Sequence, residues 1–192
     1  MEINKQKGRL GEEIARQILK DNQCKVQRSG ACFPGEAYPC GEHRIDFVVT
    51  DSYDYTCFVE VKAQRVWGYT DLKLPTYSFP EEDIDTYISI AAQKNLPLFL
   101  AVVDASAETM FFSNVADLMK RQIITRSFPA NSWNNGLNCY CYYFHQDQFK
   151  MRFPITDTQK LRRLKELYQQ SDAEDFGAAR VSTKQRPFSL RG

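Results

Sequence analysis

Hydrophobic and polar positions first repeat at helical spacing. Placed 100° apart, Leu10, Gly11, Ile14, Ala15, Ile18 and Leu19 form one apolar stripe, which predicts an amphipathic helix over 7–21. Glu12 falls at the border of that stripe and Glu13 on the outer face. The period then shortens: Cys24 to Arg28 reads as a short strand, and residues 29–43, with three Gly and two Pro, read as a loop. Arg44–Val49 and Phe58–Lys62 are short, apolar and rich in β-branched or aromatic residues, so each predicts a strand. Asp51-Ser52-Tyr53-Asp54 between them is turn chemistry, which makes a hairpin the simplest arrangement. Alternation along the second strand puts Glu60 and Lys62 on one face while Val59 and Val61 point into the core, with Asp46 nearby on the neighbouring strand. Pro80-Glu81-Glu82-Asp83 starts a second helix carrying Ile84, Tyr87, Ile88 and Ala91 and ending near Asn95. Leu96 to Val103 is a continuous apolar run, as expected of a buried strand.

Beyond residue 104 the pattern is broken into smaller pieces. Met110-Phe111-Phe112 predicts a strand, and Ser113 or Asn114 caps a helix from Val115 to Arg121. Residues 127–138 read as a loop, Cys139 to Phe144 and Phe149 to Phe153 as strands. A helix capped by Thr156 or Asp157 runs to about Gln170, with Leu161, Leu164, Leu167 and Tyr168 on its apolar side. Residues 171–192 lack periodicity and carry Arg180, Lys184, Arg186 and Arg191, the pattern of a flexible basic tail. The expected organisation is a core over 1–125, strands and a helix packed on it over 126–170, and a tail over 171–192.

Composition narrows the class without naming a chemistry. A chain of 192 residues with 43% hydrophobic and 26% charged content is of a size and balance to bury one substantial core. No apolar run approaches a membrane span, and the first residues lack a signal-peptide core, so a cytoplasmic protein is expected. In that compartment its six cysteines (24, 32, 40, 57, 139 and 141) are expected to be reduced. Cys32, Cys40, His43 and Cys139-x-Cys141 match no standard zinc spacing, so no structural zinc is expected. The net charge is only +1, but seven Lys/Arg oppose four Asp/Glu in residues 1–30, and ten oppose five in residues 150–192. Basic ends around an acidic centre suit a metal site with walls that hold phosphate, or are simply solvated faces.

The candidate chemistry lies in the hairpin. Two carboxylates and an ammonium converging on a sheet are costly unless something uses them. A hard cation does, because Mg²⁺ takes one or two carboxylates and keeps waters for a substrate phosphate. Lys62 beside such an ion can orient an attacking water or steady charge on phosphorus. Trp67, Tyr69 and Lys73 interleave aromatic and basic side chains after it, which can stack on bases and hold phosphates or simply pack the loop down.

Gly8-x-x-x-Glu12, Arg28-Ser29-Gly30, Asp46 and Glu60-Val61-Lys62-Ala63-Gln64 together resemble the PD-(D/E)XK nuclease superfamily, most nearly the archaeal-type Holliday junction resolvases and related phage and restriction endonucleases. The resemblance spans roughly residues 7–104; Ile45 replaces the usual proline, and a long insertion separates Ser29 from Asp46. It implies an α/β fold with a restriction-endonuclease-like αβββαβ core, a central mixed sheet flanked by helices, here followed by a C-terminal α+β extension. It also implies Mg²⁺- or Mn²⁺-dependent hydrolysis of DNA phosphodiester bonds, with a place in DNA recombination or repair. Asp46, Glu60 and the Val61 carbonyl would hold the metal, Glu12 would be a further ligand, and Lys62 would position the water and help to deprotonate it. Gln64, Arg28 and Ser29, with Trp67, Tyr69 and Lys73, would support the site or bind DNA. The resembled resolvases are dimers, so a homodimer is expected. The competing expectation is a nuclease-fold protein that binds nucleic acid without cutting, or a subunit of a restriction, transposition or other mobile-element or defence system that needs a protein partner.

Overall fold

The computed structural model of the chain describes residues 2–29, 45–66, 75–120, 124–128 and 139–182. Helix α1 (Glu2–Asp21) buries Gly11, Ile14, Ala15, Ile18 and Leu19, the stripe expected from their spacing. Strands β1 (Lys25–Arg28), β2 (Phe47–Thr50) and β3 (Thr56–Ala63) then form an antiparallel meander. The turn between β2 and β3 is built by Asp51, whose Oδ1 accepts from the backbone N–H of Tyr53 at 2.8 Å and of Tyr55 at 3.0 Å. After β4 (Thr76–Pro80), helix α2 (Glu81–Gln93) carries the chain across to β5 (Leu98–Asp104), which pairs parallel to β3. A parallel neighbour requires such a crossover, since a tight turn can only return the chain antiparallel.

The remaining elements extend this core. Strand β6 (Thr109–Asn114) pairs antiparallel with β5, and the side chain of Asn114 caps the short helix α3 (Val115–Met119) by accepting from Ala116 N–H at 2.8 Å. Strand β8 (Cys139–His145) pairs with β4 on one side and with β7 (Ile124–Phe128) on the other, in a small sheet of order β4-β8-β7. Strand β9 (Met151–Pro154) pairs with β6, giving a large mixed sheet of order β1-β2-β3-β5-β6-β9. Helix α4 (Thr158–Ser182) packs against α1. The architecture is therefore a central mixed sheet flanked by helices, with the αβββαβ order interrupted by β4 just before α2.

Both faces of the large sheet are covered. Val59, Val61, Ala101 and Val103 join Ile14, Ile18, Leu161 and Leu164 in an apolar cluster beneath α1 and α4. Phe58, Leu100 and Val102 join Tyr77, Phe79, Ile84 and Tyr87 in a second cluster beneath α2 and the small sheet.

Four details depart from the sequence pattern. The segment before Pro80 is a strand from Thr76, with Tyr77 and Phe79 fully buried; a proline at a strand end costs no ladder bond, so it did not forbid this. Residues 124–128, partly assigned to a loop, also form a strand. Helix α4 continues to Ser182, past the end expected near Gln170. Finally, the Glu60 face of β3 is not an open surface: α2 and the small sheet close over it.

Candidate active site

The register of the hairpin positions the acids. Phe47 lies opposite Val59, so one further step brings Asp46 level with Glu60. Asp46 remains tied into the sheet beyond the end of β2, its carbonyl accepting from Ser29 N–H at 3.0 Å. Its side chain turns across the strand end toward β3, where Oδ2 accepts from Val61 N–H at 2.9 Å. The N–H and C=O of one strand residue leave on the same edge, so the Val61 carbonyl faces the Asp46 carboxyl.

Glu60 is buried beneath α2 at 3% exposure. Its Oε1 lies 2.9 Å from Lys62 Nζ, and its Oε2 is buried without a hydrogen-bond partner. Lys62 also donates to the Tyr87 hydroxyl at 3.2 Å and stands 3.7 Å from Asp83 Oδ2. Both partners project from α2, four residues apart and hence on one helix face. Burial works against charge on each group. It raises the Glu60 pKa, and Lys62 and the Tyr87 hydroxyl act in the opposite direction. Burial alone would lower the Lys62 pKa, but Glu60, Tyr87 and Asp83 hold it well above the ordinary lysine value. Asp46 is pushed up to about 8, by burial first and then by Glu60 and Glu12.

Glu12 reaches the same sheet end from the opposite layer. Helix α1 can lie close to β3 because Gly11 has no side chain: a Cβ there would stand 2.8 Å from the Ala63 Cβ. That approach puts Glu12, the next residue, within electrostatic reach of Asp46. Glu12 forms an ion pair with Arg28, whose guanidinium also lies 5.1 Å from the centroid of the Phe47 ring. Arg28 and the buried Ser29 therefore flank Asp46 despite the long insertion that follows them. Gln64 donates from Nε2 to the Ser78 carbonyl at 2.7 Å.

Of the residues singled out from sequence, Glu12, Arg28, Ser29, Asp46, Glu60, Val61 and Lys62 thus gather at one end of the sheet. Gln64 instead fastens β3 to β4. Trp67, Tyr69 and Lys73, and Cys32, Cys40 and His43, lie outside the described residues. Cys24 and Cys57 are free thiols, and Cys141 is buried in β8. Sequence reasoning missed Asp83 and Tyr87 as neighbours of Lys62, reading one as a first-turn acid and the other as a core residue. The available signal was their i, i+4 spacing.

Among the described residues, no three His, Cys, Asp or Glu side chains already converge closely enough to hold a metal ion. The donors nevertheless fit a hard cation. Asp46 is driven toward its protonated form by burial and then by Glu60 and Glu12, and a buried carboxylate oxygen of Glu60 has no hydrogen-bond partner. A positive ion would relieve both, and Asp46, Glu60, Glu12 and the Val61 carbonyl are all oxygen donors.

No protein-family model matches the chain, and no curated protein matches it in sequence. Among solved structures, it is similar to Archaeoglobus fulgidus Hjc, a Holliday junction resolvase from an archaeal hyperthermophile. That match has 12% identity over 77% of this chain and 93% of that one, with a TM-score of 0.43. A nuclease from a fusselovirus matches at 10% identity over 82% of this chain and 86% of that one, with a TM-score of 0.38. Likeness at this level assigns no residue a role. No helix among the described residues is long and apolar enough to cross a membrane.

Proposed function

We propose that this protein is a metal-dependent endonuclease that hydrolyses phosphodiester bonds in DNA. The observation that carries the reading is the meeting of Asp46, Glu60 and Lys62 at one strand end, with Asp46 fastened to the Val61 N–H and Glu60 to Lys62. Asp46, Glu60 and the Val61 carbonyl would hold Mg²⁺ or Mn²⁺, with Glu12 as a further ligand. When bound, such an ion supplies Lewis-acid stabilisation of the phosphoryl oxygens and a water of lowered pKa. Lys62, kept cationic by its neighbours, acts as a hydrogen-bond donor: it orients the water and stabilises charge growing on phosphorus. To help deprotonate that water Lys62 would first have to release a proton of its own, which Glu60, Tyr87 and Asp83 oppose in the absence of the ion. Arg28, 62% exposed at its side chain, contacts the DNA backbone beside Glu12. Recognition through phosphates makes binding strongly salt-dependent.

The finer reading is a structure-specific enzyme of recombination or repair, acting as a homodimer because one metal site cuts one strand and paired nicks need two. The free thiols Cys24 and Cys57 suit a reducing cytoplasm. The test presents purified protein and Mg²⁺ or Mn²⁺ with a four-way junction, a nicked duplex, a linear duplex and a single strand at matched salt. Paired symmetric nicks on the junction support the resolvase-like reading, and indifference to structure leaves a general endonuclease. No cutting of any of the four overturns the enzymatic reading in favour of a binding-only or partner-dependent role.

A further inference from the structure

Tyr87 is at once a core residue and a polar one. It is 3% exposed among Ile84, Ile90, Ala91, Phe58 and Leu100, yet its hydroxyl ends at the ion pair between β3 and α2. A phenol has one proton to donate and lone pairs to accept with. Here it accepts from Lys62 Nζ at 3.2 Å. Glu60 Oε1 stands 2.9 Å from that same ammonium, so the phenol and the carboxylate share one cation. The Lys62 ammonium, with three protons to place, thus meets Glu60 Oε1 at 2.9 Å, the Tyr87 hydroxyl at 3.2 Å and Asp83 Oδ2 at 3.7 Å. It also lies 5.3 Å from the centroid of the Tyr87 ring.

We infer that Tyr87 is a positioning residue, a fixed bridge from helix α2 that holds the Lys62 ammonium and the Glu60 carboxylate in one relative placement. This rests on the endonuclease reading for its consequence, though not for its geometry. A lysine on a four-carbon stem is otherwise free to swing, and ordering it costs rotamer entropy at the moment of reaction. Tyr87 bears that ordering in advance, because its ring is locked by the apolar cluster. Asp83, one turn earlier, closes the remaining side. The effect on chemistry is through Lys62 and Glu60, since Tyr87 itself is 3% exposed.

The decisive variant is Tyr87→Phe in the full chain, which keeps the ring and removes the hydroxyl. Two readouts separate positioning from packing. The first is the ammonium correlation of Lys62 in a ¹H–¹⁵N spectrum, visible when its protons are held by acceptors and lost when they exchange freely with water. The second is steady-state cleavage of whichever DNA substrate the wild type cuts best. We expect the Lys62 ammonium signal to disappear in Tyr87→Phe, and kcat to fall about 10- to 100-fold, the usual scale for removing an outer support of a site. KM should change less than about twofold, since substrate contacts are untouched. Ile84→Val, a packing change on the same helix, should lower the melting temperature while leaving the signal and kcat alone. An unchanged ammonium signal in a folded Tyr87→Phe protein overturns the inference, as does loss of both readouts equally in Ile84→Val. If wild type shows the signal, Tyr87→Phe loses it, and neither protein cuts DNA, the bridge stands and the endonuclease reading fails.

Discussion

The two faces of β3 are both covered and chemically opposite. Toward α1 and α4 it presents Val59 and Val61, which join an apolar cluster. Toward α2 it presents Phe58, then Glu60 and Lys62, so that a carboxylate and an ammonium lie where side chains are otherwise hydrophobic. The first face is what stability alone selects, since each buried methylene contributes about 0.8 kcal/mol. The second face is not, because removing an ion pair from water usually costs more than the pairing returns. On the proposed endonuclease reading, this contrast marks the place where function has displaced stability. Charges persist on the α2 face only with a dedicated shell of Tyr87, Asp83 and the Val61–Asp46 link, and Glu60 still keeps an unpartnered oxygen.

Changes that break the contrast should separate activity from stability. The largest effect belongs to the polar face. Lys62→Met should lower the rate of DNA cleavage by about 1,000-fold, as for loss of a donor that acts in the transition state. Its DNA affinity, read by fluorescence anisotropy, should stay near wild type. Lys62→Arg should not rescue, because a planar guanidinium does not fit the space between Glu60 and Tyr87. On the apolar face the order reverses. Val59→Ala should lower the free energy of unfolding in urea by about 2 kcal/mol, while cleavage per folded molecule is unchanged.

A smaller effect is expected at the contact joining the two layers. Gly11→Ala places a Cβ 2.8 Å from that of Ala63, so α1 must shift, at a cost of about 1–3 kcal/mol. Adding Ala63→Gly should restore part of that stability, and failure of the double variant to do so would show the contact to be unimportant. A separate effect is on pH. The Asp46 pKa of about 8 is above that of an unfolded aspartate, so the folded protein holds a proton that the unfolded chain releases. In cation-free protein this contribution is fully present below about pH 4 and is lost as pH rises toward 8. Asp46→Asn should flatten that fall in thermal melts, and an identical profile would remove Asp46 as its source.

Much of this arrangement was legible in the chain because it depends on local period. Alternation in Phe58–Lys62 put Glu60 and Lys62 on one face, and the helical stripe marked Glu12 rather than Glu13 as the inward acid. The buried run before Asp104 identified the strand β5 that lies beside β3. What stayed hidden depends on contacts between distant segments. Nothing near Glu60 announces that α2 will cover it, so its face read as a sheet surface. Tyr87 fits an apolar stripe whether or not its hydroxyl meets a lysine. Strand β4 was concealed by its bounding prolines, and it is held by β8, more than sixty residues away in sequence. The helical continuation of α4 to Ser182 has no apolar stripe to signal it.

The central claim is that Asp46 and Glu60 form a cation site, and titration calorimetry with Mn²⁺ tests it without any nucleic acid. Wild type should bind Mn²⁺ with release of a proton below pH 8, and Asp46→Ala and Glu60→Ala should each abolish the binding while keeping the wild-type circular dichroism spectrum. Unchanged Mn²⁺ affinity in both folded variants would contradict the account.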